Sequence, residues 1–112
     1  MAVLLQRGLH VAEIELAESH AARRRGLLGR DGIDGAFLLE PCRSVHTFGM
    51  RFAIDVAHCR GSKSDGLDIM CIHTMSPHRI GRPHVRSRCV VEAAAGAFAR
   101  WGFAVGDRME IR

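Results

Sequence analysis

The residues best suited to bind or transform a ligand lie around one break between two apolar stretches. They are His46, Thr47, Met50, Arg51 and Asp55. Gly49 contributes to the break, and side chains beside such an irregularity in a strand often reach into a cleft. Histidine titrates near neutral pH, and arginine binds carboxylates and phosphates. Residues 46–51 therefore predict a site for a small anionic or polar ligand, although a histidine satisfied by a neighbouring group explains His46 equally well.

Asp55 lies in the middle of an apolar strand pattern. A buried carboxylate costs several kcal/mol unless it is paired or hydrogen-bonded, so Asp55 needs a partner. Arg51, Arg25 and His46 are the predicted partners, and backbone N–H groups are the alternative. Asp55 then orients a ligand, acts as an acid or base, or stabilises the fold. The pattern favours the structural role, because ionic networks that hold a fold together also contain carboxylates.

The net charge of +4 comes from one short segment. Sixteen lysines and arginines oppose twelve aspartates and glutamates, and residues 79–88 contain four arginines and no acid. Outside this basic loop the charges balance. We expect Arg79 and Arg82 to complete the rim of the ligand site. Alternatively, the loop docks an acidic protein partner. Nucleic acid is not expected, because aromatic residues that stack on bases are scarce.

The cysteines and histidines form no motif typical of a metal site or a nucleophile. The cysteines, at positions 42, 59, 71 and 89, are too far apart for the close ligand pairs of structural zinc sites. The sequence contains no Gly-x-Ser-x-Gly motif and no glycine-rich phosphate loop. In a reducing compartment, buried structural thiols are normally free and inert. We therefore predict free cysteines, no metal, no cofactor and no catalytic residue.

Hydrophobic periodicity and turn residues define the elements that position these side chains. One short helix begins after Ser19 and ends at Gly26 or Gly29, and a second spans residues 94–101. Strands are predicted at residues 9–16, 36–39, 45–48, 52–59, 67–73, 89–92 and 108–111. A polar turn joins two of these strands, at 52–59 and 67–73, into a hairpin. Residues 77–85 contain Pro and Gly and are predicted to form a loop.

This pattern predicts the α+β class. We expect one compact β-rich domain spanning residues 1–112, with a mostly antiparallel rolled sheet or small barrel and two short helices. No β-α-β alternation is indicated by the order of the elements. Both faces of the strand at 52–59 are apolar, which predicts that it is covered on both sides.

Three motifs, in order along the chain, resemble the domain of unknown function 192 family of prokaryotes. Residues 25–30 (Arg-Gly-Leu-Leu-Gly-Arg) are similar to its Arg-Gly-Leu-Met-x-Arg signature. Residues 47–56 resemble its central motif, a methionine followed by Phe-Pro-Ile-Asp-Val, with Ala53 where relatives commonly have proline. Residues 90–96 and 102–107 resemble its closing strand, helix and Gly-Asp turn. The resemblance implies a compact β-rich domain and no established reaction.

The sequence predicts a non-catalytic module. Its site is the rim between residues 46–51 and the loop at 79–86, with Arg25 contributing, and its ligand is small and anionic or polar. An enzyme that uses Asp55 and His46 as acid and base is one alternative, and a protein-interaction module is the other. No apolar run reaches the length of a membrane span, and the first residues lack a signal-peptide pattern. We therefore expect a cytoplasmic monomer.

Overall fold

The computed structural model describes residues 2–112, which form seven strands and two short helices. The strands are β1 (Ala2–Gln6), β2 (Leu9–Ala17), β3 (Ala36–Leu39), β4 (Ile54–Ser62), β5 (Gly66–Met75), β6 (Cys89–Ala94) and β7 (Arg108–Ile111). The helices are α1 (His20–Arg25) and α2 (Ala97–Arg100). Within residues 2–112, neither helix is long and apolar enough to cross a membrane.

The strands of residues 2–112 close into a barrel in the order β1-β2-β3-β6-β4-β5-β7, and β7 pairs with β1 to complete it. Neighbouring strands are antiparallel except β2 and β3, which are parallel. Parallel neighbours require a crossover, and α1 with the segment after it supplies one. The α+β class and the small barrel are confirmed. The expectation of no β-α-β connection is wrong at this point. The sequence predicts both strands and the helix between them, but the parallel pairing of β2 with β3 depends on contacts between distant residues.

Side-chain alternation along the strands divides the apolar residues between two clusters. Ala57 and Val91 belong to a cluster that fills the barrel interior. Val56 and Val90, the preceding residues, belong to a second cluster on the outer face, where Met50 and other residues from the connection between β3 and β4 cover them. Strands β4 and β6 are therefore buried on both faces, as the apolar pattern of residues 52–59 predicts.

The turn and capping signals are placed as the sequence predicts. Strands β4 and β5 form the hairpin, and Gly61 has φ of 99° beside its turn. A Cβ at Gly61 would collide with the Gly66 carbonyl oxygen, so the position requires glycine. Helix α1 begins after Ser19, whose hydroxyl accepts a hydrogen bond from the Ala22 amide at 3.0 Å. The helix ends at Gly26.

One strand was not predicted, and two predictions of local structure are wrong. The strand is β1, whose continuous apolar run lacks the alternation typical of a half-buried strand. Residues 45–48 do not form a strand, and only His46 makes an isolated bridge, to Ile80. Helix α2 is confined to four residues, because Gly96 at its start has φ of 86° and interrupts the predicted helix.

The partners of Asp55 differ from the predicted ones. Asp55 is 4% exposed and follows the alternation of β4 toward the barrel interior. Its Oδ1 accepts a hydrogen bond from the Thr74 hydroxyl at 2.7 Å, and its Oδ2 accepts one from the Gly96 amide at 3.0 Å. These neutral donors take the place of Arg51, Arg25 and His46. Asp55 thus links β5 to the turn before α2, which is the structural role with a backbone donor.

Asp55→Asn is expected to lower the free energy of unfolding by about 2 kcal/mol. An amide has one acceptor oxygen, so its NH₂ group would face one of the two donors. Urea denaturation at neutral pH measures the change. The exposed Asp34 provides a matched control, and Asp34→Asn is expected to stay within about 0.5 kcal/mol of the wild type. Equal stability of the two variants would contradict the structural role of Asp55.

Candidate functional site

A cavity of about 330 Å³ opens on the outer face of the barrel beneath α1. We call it the arginine cavity. Its lining combines cationic, acidic and apolar side chains, among them Arg23, Arg24, Arg25, His46, Met50 and Glu92. Residues 39–46 supply much of the wall facing the helix. The volume lies at the small end of the range of roughly 300–1,000 Å³ that is usual for ligand pockets, which suits a small metabolite.

Helix α1 places three consecutive arginines at this cavity. Arg23, Arg24 and Arg25 form its last turn, where cations interact favourably with the helix dipole. None of the ion pairs formed by residues 2–112 includes any of the three. Arg23 is half-buried and donates through Nη1 to the Glu40 carbonyl oxygen at 3.4 Å, whereas Arg24 and Arg25 are exposed. The cavity is therefore flanked by positive charge that the described protein groups leave unpaired.

Glu92 is the acidic group of the arginine cavity. It lies in the middle of β6 on the same face as Val90, and it is 4% exposed. No hydrogen bond of residues 2–112 uses its carboxyl oxygens, and burial raises the pKa of Glu92 to about 7. Within residues 2–112, the only buried side-chain polar atom without a hydrogen-bond partner is His84 Nδ1. The unpaired carboxyl oxygens of Glu92 are therefore open to the cavity, where water or a ligand can reach them.

The sequence pattern did not identify Glu92 as a site residue. It stands alone in the apolar run Cys-Val-Val-Glu-Ala-Ala that forms β6. A single acid in a strand whose two faces are both apolar is the signal that could have found it, because such a strand is buried on both sides.

Three of the predicted site residues lie at the arginine cavity. Arg25, His46 and Met50 all line it. His46 is exposed, and its Nδ1 accepts a hydrogen bond from the Phe48 amide at 3.3 Å. Met50 is buried and packs in the outer cluster. Arg51, by contrast, is exposed and forms an ion pair with Asp31 at 2.9 Å.

Thr47 is a predicted site residue that joins the two predicted segments. It is fully buried, and its hydroxyl donates to the Ser76 carbonyl oxygen at 2.6 Å while accepting from the Arg79 amide at 2.9 Å. The Thr47 amide donates to the Arg79 carbonyl oxygen at 2.8 Å. These bonds bring residues 46–51 against the loop at 79–86. They occupy the Thr47 hydroxyl, so its role is to position the loop.

Arg79 and Arg82 line a different cavity from Arg25. This second cavity has a volume of about 620 Å³ and lies between the loop and the outer face of β4 and β5. We call it the histidine cavity, because its lining includes His58, His73 and His84. The His58 ring stacks between the other two, with ring centroids at 5.6 Å and 5.5 Å. Among residues 2–112, no cluster of three or more His, Cys, Asp or Glu side chains is arranged to hold a metal ion.

The cysteines near histidines are not arranged as activated nucleophiles. Cys42 lines the arginine cavity, and its thiol donates to the Ser44 carbonyl oxygen at 3.2 Å. Burial raises the pKa of the Cys42 thiol, which keeps it protonated at neutral pH. Cys71 lies beside His73, with Sγ and Nδ1 separated by 3.9 Å. All four cysteines of residues 2–112 are free thiols.

The raised pKa of Glu92 predicts that the protein loses stability as the pH rises from about 4.5 to about 7. The native state holds a proton that the unfolded chain releases near pH 4.5, so stability declines as the pH rises through about 7. The total loss is about 3 kcal/mol. Glu92→Gln removes the ionisation, and we expect this variant to match the wild type near pH 4.5 and exceed it at about pH 9. Urea denaturation at both pH values measures the free energies of unfolding of the variant and the wild type. If the variant and the wild type differed by the same amount at both pH values, the cost of burying an ionised Glu92 would be contradicted.

The lowered pKa of His58 predicts the opposite pH dependence of stability. It is 1% exposed, its Nδ1 lies 3.1 Å from the Ser87 hydroxyl, and burial together with His73 and His84 lowers its pKa to about 4. The unfolded chain takes up the proton first, so stability falls as the pH drops from 6.5 toward 4. Between about pH 7.5 and pH 5 the wild type should lose about 2 kcal/mol more than His58→Asn. The exposed His10 supplies the control, and His10→Asn should retain the pH dependence of the wild type.

The comparisons with known proteins show a family and a fold. The model of the domain of unknown function 192 family, described as an uncharacterised ancient conserved region, matches residues 2–111. No curated protein matches the chain. A protein of unknown function from Novosphingobium aromaticivorans DSM 12444 is similar in structure, with a TM-score of 0.76 and 18% identity over 97% of this chain and 82% of that one.

A second solved structure, from Sinorhizobium meliloti 1021, belongs to a protein provisionally described as a transcription regulator. Its TM-score is 0.77, with 26% identity over 97% of this chain and 90% of that one. Both structures share the fold described above. Because the family model covers nearly the whole chain, this protein belongs to the domain of unknown function 192 family.

Proposed function

We propose that this protein is a non-catalytic module that binds a small anionic ligand in the arginine cavity. The observation that carries the proposal is the set of three arginines on α1, which line one cavity and take part in no ion pair within residues 2–112. Arginine binds carboxylate and phosphate through two parallel hydrogen bonds, so neighbouring guanidinium groups suit such a ligand.

The three arginines differ in how firmly they are held. The contact between Arg23 and the Glu40 carbonyl oxygen fixes one guanidinium at the cavity wall. Arg24 and Arg25 are exposed and have freedom to turn toward a ligand. His46 adds a polar ring to the lining of the same cavity. A ligand anion here would bind one pre-positioned cation and two adaptable ones.

The arginine cavity differs from the ligand site predicted from the sequence, which was the rim between residues 46–51 and the loop at 79–86. Arg79 and Arg82 line the histidine cavity, so they do not complete a single site with Arg25. His46 remains the link, because it lines the arginine cavity and bridges to Ile80 of the loop. The proposal therefore keeps the anionic ligand and residues 46–50, and assigns the cations to α1.

An enzymatic function has less support from the geometry. Both carboxylate oxygens of Asp55 accept hydrogen bonds inside the fold, and Asp55 does not line the arginine cavity. An acid or base must reach the proton that it transfers. The Cys42 thiol is kept protonated by burial.

A second candidate function is docking of an acidic partner through the basic loop. Ile80 is 75% exposed and Val85 is 81% exposed, and both lie among the arginines of residues 79–88. Exposed apolar side chains beside like charges are typical of interaction surfaces. The relative described as a transcription regulator is compatible with either function, because ligand binding and partner binding both serve regulation.

Free thiols support a proposed location in the cytoplasm. All four cysteines of residues 2–112 are unbonded to one another, including Cys59 and Cys89, which face each other across β4 and β6. Neighbouring thiols of this kind persist in a reducing compartment.

Titration with inorganic phosphate, followed by amide chemical shifts at constant ionic strength, tests the proposal. We expect the largest shifts at α1 and at His46. The double variant Arg24→Gln/Arg25→Gln should bind phosphate about tenfold more weakly, because two charge-assisted contacts are lost. Both side chains are exposed, so the fold should be retained.

Arg86→Gln/Arg88→Gln is the matched control for net charge, because it also removes two positive charges. Arg86 and Arg88 are exposed in the basic loop and do not line the arginine cavity. This variant should bind phosphate as the wild type does. Shifts confined to residues 79–88 would favour the docking function instead, and no shifts at α1 with phosphate, acetate or citrate would reject the anion site.

A further inference from the structure

We propose that the ligand of the arginine cavity is amphoteric, carrying an anionic group for the α1 arginines and a protonated amine for Glu92. This inference rests on the proposed function and adds a protonated amine to the anionic ligand. It assigns a binding role to Glu92, the one acidic side chain in the lining of the cavity.

The carboxyl group of Glu92 lacks a protein partner in the described chain. It is nine-tenths or more buried, lines the cavity, and takes part in none of the hydrogen bonds of residues 2–112. Its oxygens are not sealed inside the protein, because the only buried side-chain polar atom without a partner among residues 2–112 is His84 Nδ1. A donor supplied from within the cavity can therefore reach the carboxyl group of Glu92.

The charge of Glu92 argues for an amine rather than a second anion. An ionised carboxylate among the cavity walls would repel a purely anionic ligand, and a neutral one would offer it a single donor. An ammonium group instead forms charge-assisted hydrogen bonds, which are about twice as strong as neutral ones. Because the α1 arginines attract the opposite charge, the ligand that satisfies both walls carries both charges.

The rest of the lining fits a short spacer between the two charges. Leu27, Leu39, Pro41 and Met50 contribute apolar surface to a cavity of about 330 Å³. A compact molecule with a short apolar chain between an amine and a phosphate or carboxylate fits within this volume.

Matched pairs of probes test the inference. In the phosphate arm, 2-aminoethyl phosphate is compared with 2-hydroxyethyl phosphate, and in the carboxylate arm β-alanine is compared with propionate. The amine-bearing probe of at least one pair should bind the wild type about tenfold or more tightly, as measured by calorimetry near neutral pH. The arm with the larger preference identifies the anionic group.

The variant Glu92→Gln should lose this preference, so that the two probes of each pair bind within about twofold of each other. Binding of the amine to the wild type should also release a proton from Glu92. In the carboxylate arm, where no group of β-alanine titrates near neutral pH, the heat of binding should therefore depend on the ionisation enthalpy of the buffer in the wild type and not in the variant. Glu110→Gln, an exposed acid on β7, should behave as the wild type.

The outcomes separate this inference from the proposed function. Equal binding of 2-aminoethyl and 2-hydroxyethyl phosphate at α1, with no preference for β-alanine, would overturn the amphoteric ligand and leave the anion site standing. A preference that survives Glu92→Gln would overturn the role of Glu92. No binding of any probe would overturn both.

Discussion

The burial of β4 and β6 on both faces is the constraint on which the rest of the structure depends. Alternate residues of these strands fill the barrel interior and pack under an outer cover, and Val56, Val90 and Val91 are all fully buried. A barrel interior forms from the strands alone, but an outer cover must come from the connections. Here α1 with the segment after it and the connection between β3 and β4 cover one part, and residues 76–88 cover the other. Loops and a short helix pack less closely against the face of a sheet than another sheet would, and both cavities lie beneath these connections.

Two ionisable residues occupy the covered face, and their surroundings distinguish their roles. His58 lies between two other imidazoles and within hydrogen-bond distance of the Ser87 hydroxyl, so its neutral form is accommodated by the protein. Glu92 lies on the same face of β6 as the outer apolar cluster, with its oxygens open to the arginine cavity, and has no such partner among the hydrogen bonds of residues 2–112. A residue that is costly to bury and unsupported by its neighbours is typical of a binding group, because function is retained at the expense of stability.

More of the fold than of the site can be predicted from the sequence. The Ser19 cap, the hairpin of β4 and β5 and the apolar β6 all follow from local patterns, and together they predict a small β-rich domain. Which strands become neighbours depends on contacts between distant residues, so the parallel pair of β2 and β3 was not predicted. The site has the same limit. Arg25 and Glu92 are 67 positions apart, and only the pairing of β6 with β3 and β4 brings that acid beneath α1.

The electrostatics of the arginine cavity link its occupancy to its protonation. Three guanidinium groups from the last turn of α1 border the cavity without an acidic partner among residues 2–112, so an anionic group lowers the energy of that wall. On the other wall, a carboxyl whose pKa is raised to about 7 by burial loses its proton most readily when a cation replaces the water that burial removed. An anion alone neutralises the α1 arginines but opposes the ionisation of Glu92. An amine alone favours the ionisation of Glu92 but is repelled by the arginines. Because linkage is reciprocal, a ligand that relieves both walls binds more tightly as Glu92 ionises, and it makes Glu92 a stronger acid.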